Sequence, residues 1–440
     1  MNEASDIYYR ATAVAAPPRP ALEGHVEAQV CVVGGGLAGL TAAYEAARLG
    51  RSVVLLEAET IGYGASGRNG GFVSPGFAES LEGITARLGL DRARELVGMS
   101  REAGDWVRGL ATDLPGADPV PGWIKVVRYD DAEGTQRRAE RWRRDFGRAV
   151  DYWPTERVRE VLRTPVYYQA LYDADAFHIH PLNYALGLAG LAEAAGARLF
   201  EHSLAEALSR APAGWRIAAG RGTVEAQHVV LAGSAYMRRL YRRHSHAVLP
   251  VATHVVVSEP LGPLREATIR TDAAIGDTRR ASDYYRVFAD GRLMWGGGIT
   301  TRRAVPWRLA GRMKARIAAV YPALRDVRID FAWSGLMGYA VHRMPLIGEM
   351  EEGLWAATAF GGHGLSTSAM AGRLVAAAIT EGDDRWRLFT PYTARWGGGT
   401  LGRAATQLVY WKLRLADRIE EARSRRGTGR REAPKAGYDA

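Results

Sequence analysis

The chain has 440 residues, 47% of them hydrophobic, and a formal net charge of +10, enough to bury a large core shared between two domains. Almost all of the positive charge is arginine, since lysine stands only at 125, 314, 412 and 435, and no basic strip interleaved with aromatics accompanies it, so no nucleic-acid partner is expected. No apolar run reaches the ~18–20 residues of a bilayer span, MNEASDIYYR carries no signal pattern, and the single cysteine, Cys31, cannot form an internal disulfide, which together point to a cytoplasmic protein.

Residues 11–24, with Pro17, Pro18 and Pro20, form an extended lead-in. The stretch 27–57, EAQVCVVGGGLAGLTAAYEAARLGRSVVLLE, then reads as a strand–helix–strand unit. Val30–Val33 is an apolar strand, 37–49 keeps helical periodicity, and 51–56 is a second strand. Gly34, Gly36 and Gly39 give the G-x-G-x-x-G spacing. Gly34 makes the tight turn, Gly36 leaves room for a pyrophosphate, and Gly39 lets the helix sit close on the strand. The helix N-terminus at Leu37 and Ala38 offers free N–H groups and partial positive charge. Glu57, about 20 residues on, can accept hydrogen bonds from ribose hydroxyls and would repel a 2′-phosphate.

A glycine-rich loop, GYGASGRNGGFVSPG, spans 62–76. Residues 80–110 read as helix, 123–129 as strand, 133–146 as an arginine-rich amphipathic helix, and 167–172 as strand. Pro181 opens a helix to about residue 195. Strands are expected at 199–202, 215–218 and 224–231, the last ending in the turn Ala232-Gly233-Ser234. Sheet follows at 248–258, 283–289 and 292–299. A strand at 354–359 runs into Phe360-Gly361-Gly362-His363-Gly364 and a small-residue helix, 366–379. After a glycine-rich break, 403–422 forms an amphipathic helix, and the arginine-rich end beyond it is expected to be disordered.

The second strand–glycine–helix junction, FGGHGLS at 360–366, has two readings: a turn made for close packing, or a second anchor for a cofactor longer than its ADP half. The second reading favours FAD over NAD, because a helix N-terminus there would stabilise the charge that appears when a flavin is reduced. Nucleotide-binding signals at the start, near 231 and near 360 enclose segments that fit a parallel sheet poorly, so the two domains are expected to interleave.

These motifs carry a family resemblance. VCVVGGGLAGL at 30–40, GASGRNGG at 64–71, HIHPLNYALGLA at 178–189, VVLAGSAY at 229–236, DYYRVFADGRL at 283–293, HRMPLIG at 342–348 and FGGHGL at 360–365 resemble the D-amino-acid-oxidase-type FAD-dependent oxidoreductases. Glycine and sarcosine oxidases are cousins in that family, and the likeness is strongest to its gamma-glutamylputrescine oxidoreductase group. The resemblance implies an α/β fold with a Rossmann-like FAD-binding domain (1–80, 175–236 and 332–400) interleaved with a mixed-sheet α+β substrate domain (81–174 and 237–331). Residues 401–440 would form the C-terminal helix and basic tail.

Carried onto this sequence, Gly34, Gly36, Leu37, Ala38, Gly39 and Glu57 would hold the ADP part of FAD. Ala65, Ser66, Arg68, Asn69, Gly70 and Gly71, with Gly233, would line the pyrophosphate-to-flavin stretch. Gly361, Gly362, His363, Gly364, Leu365 and Ser366 would cradle the ring. Cys31 lies in a strand and the 64–71 loop has no histidine, so FAD is expected to be non-covalent.

Sarcosine-oxidase-type relatives place a basic residue just after the G-H-G motif, and the approximate match here is Ser366, which cannot pair with a carboxylate. The resemblance puts their oxygen-promoting lysine near Met294. The expected substrate is therefore an amine, aliphatic or γ-glutamylated, whose reacting carbon lacks an adjacent carboxylate. Hydride transfer to flavin N5 would give an imine and then an aldehyde, with oxygen as acceptor. A dehydrogenase passing electrons to a quinone or carrier, and a sarcosine- or glycine-oxidase-like amino acid oxidase, remain alternatives. Arg68 and His363 are the candidate catalytic charges. Tyr284, Tyr285, Arg286 and Arg343 are the candidate substrate contacts. His178/His180 and His244/His246 lack companion ligands, so no metal is expected. The C-terminal helix has two readings: docked on the protein's own surface, or lying weakly on an anionic membrane.

Overall fold

The computed structural model describes residues 7–237, 240–279 and 282–425. The basic end expected to be disordered lies outside the described residues from 426 onward.

Two sheets organise the molecule. The first runs in the order Leu346–Glu351, Leu354–Thr358, Arg221–Leu231, Glu23–Val33, Val53–Leu56, Arg198–Phe200. Its last five strands are parallel, as buried apolar runs such as Val30–Val33 and Val53–Leu56 require. Leu346–Glu351 is an antiparallel edge, and a hairpin of Ala205–Ala211 with Gly214–Ala219 extends Arg221–Leu231. Helix Leu37–Arg48 packs on this sheet with helix Gly364–Glu381, both rich in alanine and almost wholly buried.

The second sheet runs Ile329–Tyr339, Leu249–Pro260, Arg292–Thr300, Tyr284–Val287, Ala274–Asp277, Val120–Val126, Ala170–His178, Phe72–Val73. It is antiparallel except where Ala274–Asp277 meets Val120–Val126. Its strands come from two stretches of chain, 72–178 and 249–339, parted by the strands from Arg198–Phe200 to Arg221–Leu231 of the first sheet. The fold class is therefore the α/β one expected, with a mixed second sheet. Strand Ile329–Tyr339 pairs with Leu249–Pro260 over nearly its whole length, so a division of the chain at 332 would cut it.

The helix expected over 80–110 is two helices, Leu81–Leu88 and Leu90–Asp113. Gly89 parts them at φ +83, a conformation that a helix cannot continue through. The strand expected at 167–172 begins at Ala170 and runs to His178.

Candidate functional site

The carboxyl ends of the first sheet's strands open into a cavity of about 1050 Å³, bounded on its far side by the second sheet. That is at the top of the ~300–1,000 Å³ range of ligand pockets, room for a dinucleotide and a small substrate together. Two helix N-termini face this one space: Gly36, Leu37 and Ala38 at one end, and His363, Gly364 and Leu365 at the other. The positive ends of two helix dipoles thus face one cavity.

The glycines earn their places by close approach. Gly34 has φ +117, and a Cβ there would lie 2.8 Å from Gly233 N; a Cβ on Gly39 would lie 2.0 Å from Gly34 O. Gly39 therefore packs helix on strand and does not line the cavity. Gly36 does line it, with the Ser66 hydroxyl alongside, 3.0 Å from Leu37 N–H, from which it accepts. Glu57 accepts from Gly35 N–H (2.6 Å) and Glu59 N–H (3.0 Å) at the cavity's edge. Burial pushes its carboxyl up. Each carboxylate oxygen keeps a further lone pair for a ribose hydroxyl.

The loop between the two ends is braced by Asn69. Its amide donates to Ala65 O (3.0 Å) and Ser66 O (2.9 Å), and its Oδ1 accepts from Gly71 N–H (2.7 Å). Ala65, Ser66, Arg68, Asn69 and Gly70 line the cavity, as does Gly233. Gly71 does not: it is turned against Ile179 O, 2.2 Å from where its Cβ would stand. Arg68 lies over the Tyr63 ring (4.7 Å) and donates to Tyr63 O (2.8 Å).

Gly361, Gly362, His363, Gly364 and Leu365 line the second end, but Ser366 is turned away and donates to Ser74 O at 2.8 Å. Ser368, unremarked in the sequence, lines the cavity instead. Burial, reinforced by the charges of Lys125 and Arg148, holds His363 down at about 3. This favours the neutral imidazole of His363 at neutral pH over the charged form expected of it. Lys125 lines the same cavity, on strand Val120–Val126, and brings a cation there.

Of the expected substrate contacts, Tyr284 and Arg343 line the cavity. Tyr284 stands against Gly70, and Arg343 pairs with Glu79. Tyr285 does not, because strand alternation turns it into the opposite core, stacked on Trp295 at 4.2 Å and bonded to Tyr321 at 2.8 Å. Arg286 lies on the same strand face as Tyr284 but deeper, donating to Tyr9 Oη (3.1 Å), Ile179 O (2.8 Å) and His178. It braces the fold and cannot reach a ligand. Met294 is likewise buried, with the Tyr9 hydroxyl 3.4 Å from its sulfur.

The rest of the wall comes from residues that the sequence did not single out. Trp123, Asp277, Arg279, Tyr339 and Trp396 line it, and so does the C-terminal helix through Gly402, Ala405, Thr406, Val409 and Tyr410. His178 is engaged by Arg286 and by Asp272 O, and His180 caps a helix at Asn183 N–H. Among the described residues no cluster of three or more His, Cys, Asp or Glu side chains is placed to hold a metal, and no helix is long and apolar enough to cross a membrane.

The cavity thus offers a carboxylate at its edge, a glycine turn that a side chain would fill and two helix N-termini facing the same space, a set that fits FAD. The comparisons with known proteins agree. The family profile described as "FAD dependent oxidoreductase" (DAO) matches residues 29–378. The chain is 32% identical to gamma-glutamylputrescine oxidoreductase of Escherichia coli K12, over 94% of this chain and 99% of that protein. It is 29% identical to a probable oxidoreductase, OrdL, of Haemophilus influenzae, over 90% of this chain and 93% of that protein. Among solved structures, glycine oxidase from Geobacillus kaustophilus superposes with TM-score 0.69 at 22% identity, over 84% of this chain and 99% of that one.

Proposed function

Since the chain belongs to the DAO family of FAD-dependent oxidoreductases, we propose that it oxidises the C–N bond of an amine whose reacting carbon carries no carboxylate, a γ-glutamylated or aliphatic amine, with oxygen as acceptor. FAD, bound between the two helix N-termini, supplies the hydride acceptor. Ala38 N–H and the Ser66 hydroxyl, which Leu37 N–H orients, would hold its pyrophosphate, and Glu57 its ribose. The Gly361–Leu365 turn offers N–H groups to the ring's pyrimidine end. No thiol reaches the cavity, because Cys31 is wholly buried in its strand; acid precipitation should therefore release all of the FAD into the supernatant.

The carrying observation is the makeup of the cavity beyond the second glycine turn. Tyr284, Trp123 and Tyr339 give apolar and π surface for an alkylamine. At the G-H-G motif itself the residue that follows Leu365 is a turned-away serine, so no cation is set there for an α-carboxylate. Lys125 and Arg343 lie on the cavity wall, where a carboxylate remote from the reacting carbon can reach them. The same Lys125, close enough to His363 to depress it, stabilises the charge that develops on oxygen as it is reduced. Aldehyde formation from γ-glutamylputrescine, putrescine and sarcosine tests the assignment. At least about tenfold higher kcat/KM for one of the first two over sarcosine is expected, corresponding to ~1.4 kcal/mol of discrimination. A preference for sarcosine would return the enzyme to the amino-acid oxidases.

Two further outcomes follow from the site. Hydride leaves only from the neutral amine, so kcat/KM should rise with pH until the substrate's own amine is deprotonated. His363, already neutral above about 3, adds no limb, and His363→Asn should leave the shape of the profile unchanged. A limb between roughly pH 6 and 7 that vanished in this variant would contradict the neutral assignment. Lys125→Met should slow reoxidation by oxygen by about 10²-fold or more, while amine reduction under argon changes much less. Equal slowing of both half-reactions would place Lys125 in amine binding alone.

A further inference from the structure

We propose that the C-terminal helix and the loop beside it form a docking surface for an anionic lipid membrane. Helix Gly399–Arg425 has one seated face and one open face. On the seated face Gln407 Oε1 accepts from Thr300 Oγ1 (2.7 Å) and Thr301 N–H (3.0 Å), and Glu421 pairs with Arg128 at 2.8 Å. On the open face Leu401, Leu408, Trp411 and Leu415, spaced seven, three and four residues apart, make one stripe, and they are 79, 60, 50 and 59% exposed. The loop that Gln407 ties to this helix adds Val305 at 60% and Trp307 at 76% exposure. Such large apolar side chains on two adjoining elements are far more than the scattered exposure normal for a surface.

Charge selects the occupant. From Thr301 to Lys314 the chain carries four arginines and a lysine, and from Gly399 to Leu413 one arginine and a lysine, with no aspartate or glutamate in either stretch; Arg316 and Arg414, which follow them, are engaged by Asp283 and by Ile299 O. The residues that follow the helix add Arg426, Arg430, Arg431 and Lys435 against Glu432 and Asp439. A second copy of this chain docking through the same face would set these cations against themselves. A bilayer of anionic headgroups offers the opposite charge at its surface and hydrocarbon just beneath, the two environments that an apolar stripe with tryptophans and flanking arginines fits. Because the same helix walls the cavity, a docked membrane would lie roughly one helix diameter, ~10 Å, from it.

Flotation of the FAD-loaded full chain with vesicles tests this, independently of which amine is oxidised. Vesicles of phosphatidylcholine with ~30% phosphatidylglycerol should carry at least about tenfold more protein than pure phosphatidylcholine, and ~0.5 M salt should reverse most of that gain. Leu408→Glu with Leu415→Glu, checked for wild-type flavin absorbance and circular dichroism, should lose the binding. Should that pair misfold, Arg302→Glu with Arg303→Glu reads the charge component from the neighbouring loop. Equal flotation on both vesicle types, undiminished flotation of the variants, or a dimer that the leucine changes dissolve without any vesicle binding would each overturn the proposal.

Discussion

Gly36→Val is expected to leave the chain folded and to empty it of FAD. Gly36 has φ −86, which valine accepts, and it caps the helix Leu37–Arg48 without a side-chain bond. Its Cβ would point at the Ser66 hydroxyl, 2.9 Å away, and the methyls beyond would occupy the space before the Leu37 and Ala38 N–H groups. That removes the pyrophosphate position and the Ser66 contact together while the sheet is untouched. A loss of at least two charge-assisted hydrogen bonds, each ~1.5–3 kcal/mol, corresponds to an affinity loss of 10²-fold or more. Equilibrium dialysis against FAD measures it, with circular dichroism as the folding control. Gly34→Val serves as contrast, because its φ of +117 and the 2.8 Å approach to Gly233 N put the strain in the fold itself. Retained FAD in folded Gly36→Val would remove the pyrophosphate from this helix.

Asp283→Ala is expected to cost about 3–5 kcal/mol of stability. Asp283 is 1% exposed and accepts from Arg316 Nε at 3.0 Å and Arg279 Nη2 at 2.6 Å. Burial alone would raise its carboxyl, but these two guanidiniums outweigh burial and hold it below the usual carboxylate range. Arg279 also bonds Asp277, which in turn faces Arg128 at 3.6 Å. Alanine at 283 would take the carboxylate from Arg316 and leave Arg279 on Asp277, which it shares with Arg128, itself also held by Glu421, so that one guanidinium is left uncompensated in a low-dielectric site. Because Asp277 and Arg279 line the cavity, turnover should fall with stability. Urea unfolding of the holoprotein reads the loss; a shift below ~1 kcal/mol would mean that water already screens the cluster.

The nucleotide half of the site was legible because its demands are local. A glycine at φ +117, a helix start and an acid at the second strand's end all sit within one short stretch of sequence. The second glycine turn was legible for the same reason. The substrate wall was not, since it is assembled from several separate stretches of chain. Trp123 and Lys125 alternate with buried Ile124 and Val126, a signal that sets them on the cavity face, but nothing local says which face that is. Tyr284, Tyr285 and Arg286 looked equivalent, and only the pleat and the depth of the strand separate them. Strand Ile329–Tyr339, interrupted by Gly335 and Gly338, has no clean alternation of its own and is held by its pairing with Leu249–Pro260. The C-terminal stretch forms one helix, Gly399–Arg425, and its place as a cavity wall depends on contacts to residues about a hundred positions earlier.

The most direct test of the account is an anaerobic spectral titration of the purified holoprotein with γ-glutamylputrescine, putrescine and sarcosine, followed by admission of air. The account predicts a flavin absorption band that one of the two non-carboxylate amines bleaches stoichiometrically and that air restores rapidly. A band that only sarcosine bleaches, or that none of the three bleaches, would contradict the amine assignment, and slow recovery in air would contradict oxygen as acceptor.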